Sequence, residues 1–234
     1  MACDSYINNK SCLAEGILMV RRPDIQLPET RYEEYSIPGR DGKQYIKTTC
    51  REDISITIPY NFMTDENNWF QMKRKIQTFF SNAETLSFSD DFDYYYKVKK
   101  ISLGEAKRTS KRIGNISVTF ILDGYEYSKV GAELSENAGI YINQSCISHP
   151  IYKIIGEGKC KLTVNGNEID CNIGQSLIID THRQESYKLN DSGNIERMNT
   201  SINGNYEKMY FIEGENNVSI TAGFELLVQP NWRY

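Results

Sequence analysis

The sequence predicts a mainly β chain built as two sandwich-like domains, the first carrying a single packed helix. Three observations support this. Tyr numbers 16 and Ile and Val recur throughout, and such residues suit pleated, half-buried surfaces. Period-two alternation appears repeatedly, whereas the 3.6-residue period appears convincingly once. Turn residues punctuate short apolar runs at regular intervals. The 234 residues fit one large or two ordinary domains and can bury a core without a disulfide or metal staple.

Taken in order, residues 16–22 form a short apolar strand stopped by Pro23. Residues 37–42, Ile-Pro-Gly-Arg-Asp-Gly, form a turn between two strand-like runs. Ile54, Ile56 and Ile58 alternate with Ser55 and Thr57, the mark of a strand with one buried face; Pro59 closes it. The helix is expected over residues 65–80, capped by Thr64 or Asp65. Trp69, Met72, Ile76 and Phe79 give it one apolar stripe, while Lys73, Arg74, Lys75 and Gln77 face away. That stripe either packs on a sheet or also enters a subunit contact. Strands are then expected over 85–88, 94–103 and 113–122, with Asp123-Gly124 as turn chemistry at the end of the last.

Residues 135–139, Ser-Glu-Asn-Ala-Gly, form a polar junction, which sets domains at 1–134 and 135–234. Beyond it, strands are expected at 151–155, 160–164, 168–172, 176–180, 206–212, 218–221 and 225–229. Asn165-Gly166 is a strong hairpin signal, because a type I′ turn needs two residues that tolerate positive φ.

Charge and hydropathy exclude several classes. The mean hydropathy is −0.54 and no apolar run approaches eighteen residues, so no membrane-spanning helix is expected. No apolar leader opens the chain, which argues against secretion. Residues 1–135 hold 19 basic and 19 acidic side chains, and residues 136–234 hold 8 and 12. Neither half has the clustered positive charge that nucleic acid demands. Lys97, Lys99, Lys100, Lys107, Arg108, Lys111 and Arg112 bracket a turn and read as a solvated rim.

Chemistry is sparse. Cys3, Cys12, Cys50, Cys146, Cys160 and Cys171 show no paired short spacing, so free thiols are expected. A zinc site would have to gather Cys146, His149, Cys160 and Cys171 from separate strands. Neither His149 nor His182 lies near a nucleophile motif. Asp90, Asp91 and Asp93 lack an EF-type ladder and read as a loop of solvated acids. No catalytic residue, metal or cofactor is expected. Tyr141, Tyr152 and Tyr187 are candidate contacts for a glycan or a protein partner, and Tyr is equally a good strand residue.

Three stretches share an order with a known family: residues 37–42 with the strand at 54–59; Asn61-Phe62 leading into the Trp69 helix and on to Leu86-Ser87-Phe88-Ser89-Asp90-Asp91; and Asn143, residues 150–158, Asn165-Gly166, Ile179-Asp180, Tyr187, residues 214–217 and Pro230-Asn231-Trp232-Arg233. In this the chain resembles the distal tail proteins of phages infecting Gram-positive bacteria. The resemblance implies an N-terminal domain that closes into a homohexameric ring between the tail tube protein and the tail-tip hub. It also implies a galectin-like C-terminal sandwich outside the ring, for docking a receptor-binding protein or a host glycan. The product would be a virion protein at the tail tip, assembled in the bacterial cytoplasm. Relatives often carry Gly-x-Phe-Pro before the last strands, where this chain has residues 203–208, Asn-Gly-Asn-Tyr-Glu-Lys. On this reading Gly39, Arg40, Asp41 and Gly42, with Lys73 and Arg74, are the candidate subunit interface, and Trp232 anchors the second sandwich.

Overall fold

The computed structural model describes residues 3–65, 68–136, 138–190 and 192–234. Glu66 and Asn67, within the expected helix, and Asn137, within the expected junction, lie outside the described residues. The chain divides into two compact units, Met1–Glu126 and Tyr127–Tyr234, and is mainly β with one α-helix among the described residues.

In the first unit a sheet runs in the order Lys10–Ser11, Ser5–Ile7, Thr85–Phe88, Asp91–Leu103, Ile113–Ser128, Ile54–Met63, Ile17–Met19, with Lys107–Arg108 paired to the Ile113–Ser128 strand. Ile54–Met63 lies antiparallel to Ile113–Ser128 from Ile54↔Leu122 to Met63↔Ile113. Ile54, Ile56, Ile58, Tyr60 and Phe62 therefore face inward beside Ile116, Val118, Phe120 and Leu122. Pro59 does not end this strand: it sits opposite Ser117, and its carbonyl accepts from Val20 N. Gly114 stands opposite Phe62 because a Cβ there would come within 2.3 Å of the phenyl ring.

The helix spans Trp69–Ser81, starting four residues later than the pattern suggested. Its N-cap is Asn68, which makes no side-chain capping bond. Thr64, one expected cap, instead donates its N–H to the Arg112 carbonyl. Trp69, Ile76 and Phe80 are the buried residues, with Met72 and Phe79 only partly so. The Phe80 ring meets Tyr60 at 5.1 Å and Phe120 at 6.0 Å between centroids, so the stripe packs on the sheet.

In the second unit the four expected strands between residues 151 and 180 are two. Ile151–Val164 and Asn167–Asp180 pair without interruption from Ile151↔Asp180 to Val164↔Asn167. Asn165 and Gly166 take φ of +51° and +80° at the turn, as a type I′ connection requires. The first half of Ile151–Val164 lies beside Glu225–Gln229 and its last residues beside Gly214–Ile220. Gly156 lies between those halves, where a Cβ would come within 2.4 Å of the Phe224 ring. Residues 206–212 are not a strand. Tyr206–Met209 is a 3-10 turn whose N-cap, Asn205, accepts from Glu207 N, and Phe211 forms an isolated bridge with Ser148. Trp232 packs partly buried on the core, 5.6 Å from Phe211.

Candidate functional site

The 37–42 turn is the tip of a ribbon made of Thr30–Ser36 and Lys43–Arg51, a sheet of its own. Gly39 and Gly42 have φ of +80° and +79°, and nothing lies within 4 Å of where their Cβ atoms would be. Only glycine takes that backbone routinely, and it presents Arg40 and Asp41 at an exposed tip.

The ribbon has no buried face, since residues 31–47 are all exposed. Directly paired residues share a face, so Tyr32 and Tyr45 lie on one side, while Tyr35 and Ile46 lie on the other. These four are 47–58% exposed. A Lys43–Glu34 ion pair and a bond from Tyr35 Oη to Glu33 stiffen the surface. At the root, Tyr125 Oη donates to Thr49 O at 3.1 Å, and the Arg51 guanidinium lies 4.8 Å over the Tyr125 ring.

Lys73 and Arg74 are both exposed; Arg74 faces away from Trp69, Ile76 and Phe80, whereas Lys73, four residues after Trp69 and three before Ile76, lies at the edge of that buried face. Their neighbour Lys75 is committed to Glu15 at 2.8 Å.

The three candidate tyrosines, Tyr141, Tyr152 and Tyr187, do not make a platform. Tyr152 is fully buried and donates to Met209 O at 2.8 Å, so it is a core residue and not a surface contact. Tyr141 stacks on Phe211 at 5.3 Å, and burial pushes its phenol up. Tyr187 lies apart, on the Glu185–Leu189 strand.

A cavity of about 530 Å³ in this unit is lined by Cys160, Cys171 and Ile202, with Lys161, Asp170 and Asn172 among its polar residues. Cys160 and Cys171 are direct cross-strand partners and small core residues. Burial pushes the Cys171 thiol up to about 12 and raises Cys160 as well. Thiols held protonated are poor nucleophiles and poor metal ligands. Among the described residues no three His, Cys, Asp or Glu side chains form a metal-sized cluster, so the set a zinc reading requires is not assembled.

The acids are not a loop either. Asp91 and Asp93 lie on the Asp91–Leu103 strand, and Asp90 is bonded to Arg22 at 2.9 Å. Asp123 and Gly124 run inside the Ile113–Ser128 strand, not at its end, and Asp123 is buried beside Lys99 at 3.2 Å. Sequence reasoning missed the pairing of His149 with His182, whose Nδ1 atoms are 3.0 Å apart; separation along the chain concealed it.

Residues 17–122 match the family model described as the phage tail protein RIFT-related domain. The first unit is thus similar to that family over most of its length. The match spans the sheet of the first unit from Ile17–Met19 through the helix and into the Ile113–Ser128 strand. No curated protein matches the sequence. Among solved structures, the chain is similar to the Dit protein of phage SPP1, described as a paradigm of the hub adsorption apparatus in phages infecting Gram-positive bacteria. The TM-score is 0.58 at 9% identity, covering 100% of each chain. At that identity the likeness is one of fold, and it extends beyond residues 17–122 to the second unit.

Proposed function

We propose that this chain is a structural virion protein of the tail tip, a distal tail ring subunit. Six copies would link the tail tube protein to the tail-tip hub, with a galectin-like second unit carrying receptor-binding parts outward. Assembly would take place in the bacterial cytoplasm, and no catalytic step belongs to the role. The observation that supports this best is the two-faced ribbon at residues 30–51. A two-stranded hairpin is marginal by itself in water, and this one exposes Tyr or Ile on both faces. A neighbouring copy in a closed ring would cover such a surface through a head-to-tail contact. Arg40 and Asp41 at its tip supply charges that fix orientation, since a guanidinium forks onto carboxylates.

A carbohydrate-binding role finds less support, because Tyr152 is buried and Tyr141 stacks inward.

Negative-stain imaging and sedimentation of the full chain test the proposal. Six-fold annuli are expected, and Tyr45→Asp with Ile46→Asp should return them to monomers while circular dichroism stays unchanged. A wild-type chain that remains monomeric at every concentration would overturn it. Arg40→Ala with Asp41→Ala addresses the tip alone: intact rings would remove those two residues from the contact.

A further inference from the structure

Cys160 and Cys171 stand directly opposite each other on the Ile151–Val164 and Asn167–Asp180 strands, and the backbone decides how close they are. Opposed residues of an antiparallel ladder alternate between hydrogen-bonded and non-hydrogen-bonded pairs. The Lys161 carbonyl accepts from Thr221 N at 3.1 Å, and the Lys161 N–H donates to Thr221 Oγ1 at 2.9 Å. Both backbone groups of Lys161 therefore point away from the Asn167–Asp180 strand, and those of Cys160 point toward it. The two cysteines are thus a hydrogen-bonded pair, with Cα atoms about 5.5 Å apart. Disulfides most often join Cα atoms about 5.5–6 Å apart.

The side chains agree with the backbone. Directly paired residues share a face, and here that face is the buried one. Burial raises both thiols; their contact with each other then lowers Cys160 and raises Cys171 further. Cys160 is the readier of the two to ionise, and Cys171 lies against it. Ile202 flanks Cys171 on its other side. The open cavity of about 530 Å³ is lined by all three residues, so a small reagent can reach thiols that the surface itself does not expose.

We propose that Cys160 and Cys171 are a modification site, a latent disulfide closed by a small-molecule disulfide such as oxidised glutathione. The Cys160 thiolate attacks one sulfur of the oxidant, releasing one reduced thiol and leaving a mixed disulfide in the cavity. The Cys171 thiolate then attacks the Cys160 sulfur and expels the second thiol. Two protein S–H bonds are lost and one S–S bond is made. The two electrons reduce the oxidant, and both protons end on the thiols it releases.

Burial keeps the thiols protonated most of the time, which makes closure slow. Reducing surroundings hold the pair open and oxidising ones close it. The link would fix the register of the hairpin that turns at Asn165-Gly166, because a slip of one residue would separate the cysteines. The Cβ atoms of a hydrogen-bonded pair start wider apart than a relaxed disulfide prefers, so the link stays reducible. It does not depend on ring formation.

The full chain, reduced and then held folded with oxidised glutathione at mildly alkaline pH, tests this by peptide mapping once remaining thiols are blocked. A peptide joining Cys160 to Cys171 is expected within hours, at a rate independent of protein concentration. Dithiothreitol added to the folded chain should reopen it. A urea-unfolded sample shows that the oxidant is active. Cys160 and Cys171 recovered free after the unfolded chain has reacted overturn the proposal, as does glutathione left stably on either one. Closure that climbs with urea in step with global unfolding overturns it too, since the link would then belong to the unfolded chain.

Discussion

Single residues in this chain are often explained by a backbone passing close by. Gly124 looks like a turn residue beside Asp123, yet it sits mid-strand where a Cβ would come within 2.3 Å of Glu52 O and 2.9 Å of Arg51 Cβ. Gly124→Ala should therefore cost about 1–3 kcal/mol through overpacking against rigid backbone, seen as a lower urea midpoint. Asn216 is a second case. Fully buried, its amide accepts from Ile212 N and Asn165 Nδ2 and donates to Ile212 O and Gly214 O. Asn216→Ala leaves buried polar groups without partners, and a loss of at least about 2 kcal/mol is expected in chemical denaturation. Neither role was readable beforehand, because the partners come from other segments.

At the scale of elements, local pattern carried far where one face is buried. The Ile54, Ile56, Ile58 alternation is the inward face of its strand, and Asn165-Gly166 is the hairpin turn. The helix existed where expected, but its boundary and one core position moved. Phe80, one residue beyond the assigned stripe, is fully buried between Tyr60 and Phe120. Phe80→Ala should cost about 3–5 kcal/mol, whereas Arg74→Ala on the exposed side should stay within about 0.5 kcal/mol; equal effects in thermal melts would refute this orientation. Strand lengths were the least legible feature. Gly156 and Gly158 split the pattern of a strand that pairs continuously, since partners on both sides supply what local propensity lacks.

For the whole molecule, burial of thiols and phenols sets the response to alkali. Cys12 and Cys171 are both pushed up to about 12, first of all by burial, and Tyr60 and Tyr152 are raised by burial too. A folded-state value above the unfolded one means that the native state holds the proton longer. Stability from these thiols is thus complete below their unfolded value and is lost as pH rises from about 8.5 toward 12. Two such groups together should steepen the decline to roughly 2.7 kcal/mol per pH unit, measurable by urea unfolding between pH 8 and 11. A flat profile there would mean that the thiols are not buried as described.

The sequence by itself determined the β class, the helix, the hairpin turn and the absence of a recognisable catalytic motif, because alternation, helical periodicity and turn chemistry are local. The resemblance it carries was enough to point to a phage-tail domain. Only the tertiary structure decided which tyrosines reach the surface, that residues 30–51 form a ribbon without a core, and that His149 meets His182. Those outcomes depend on contacts between distant segments, where burial and partner geometry outweigh anything neighbouring residues encode.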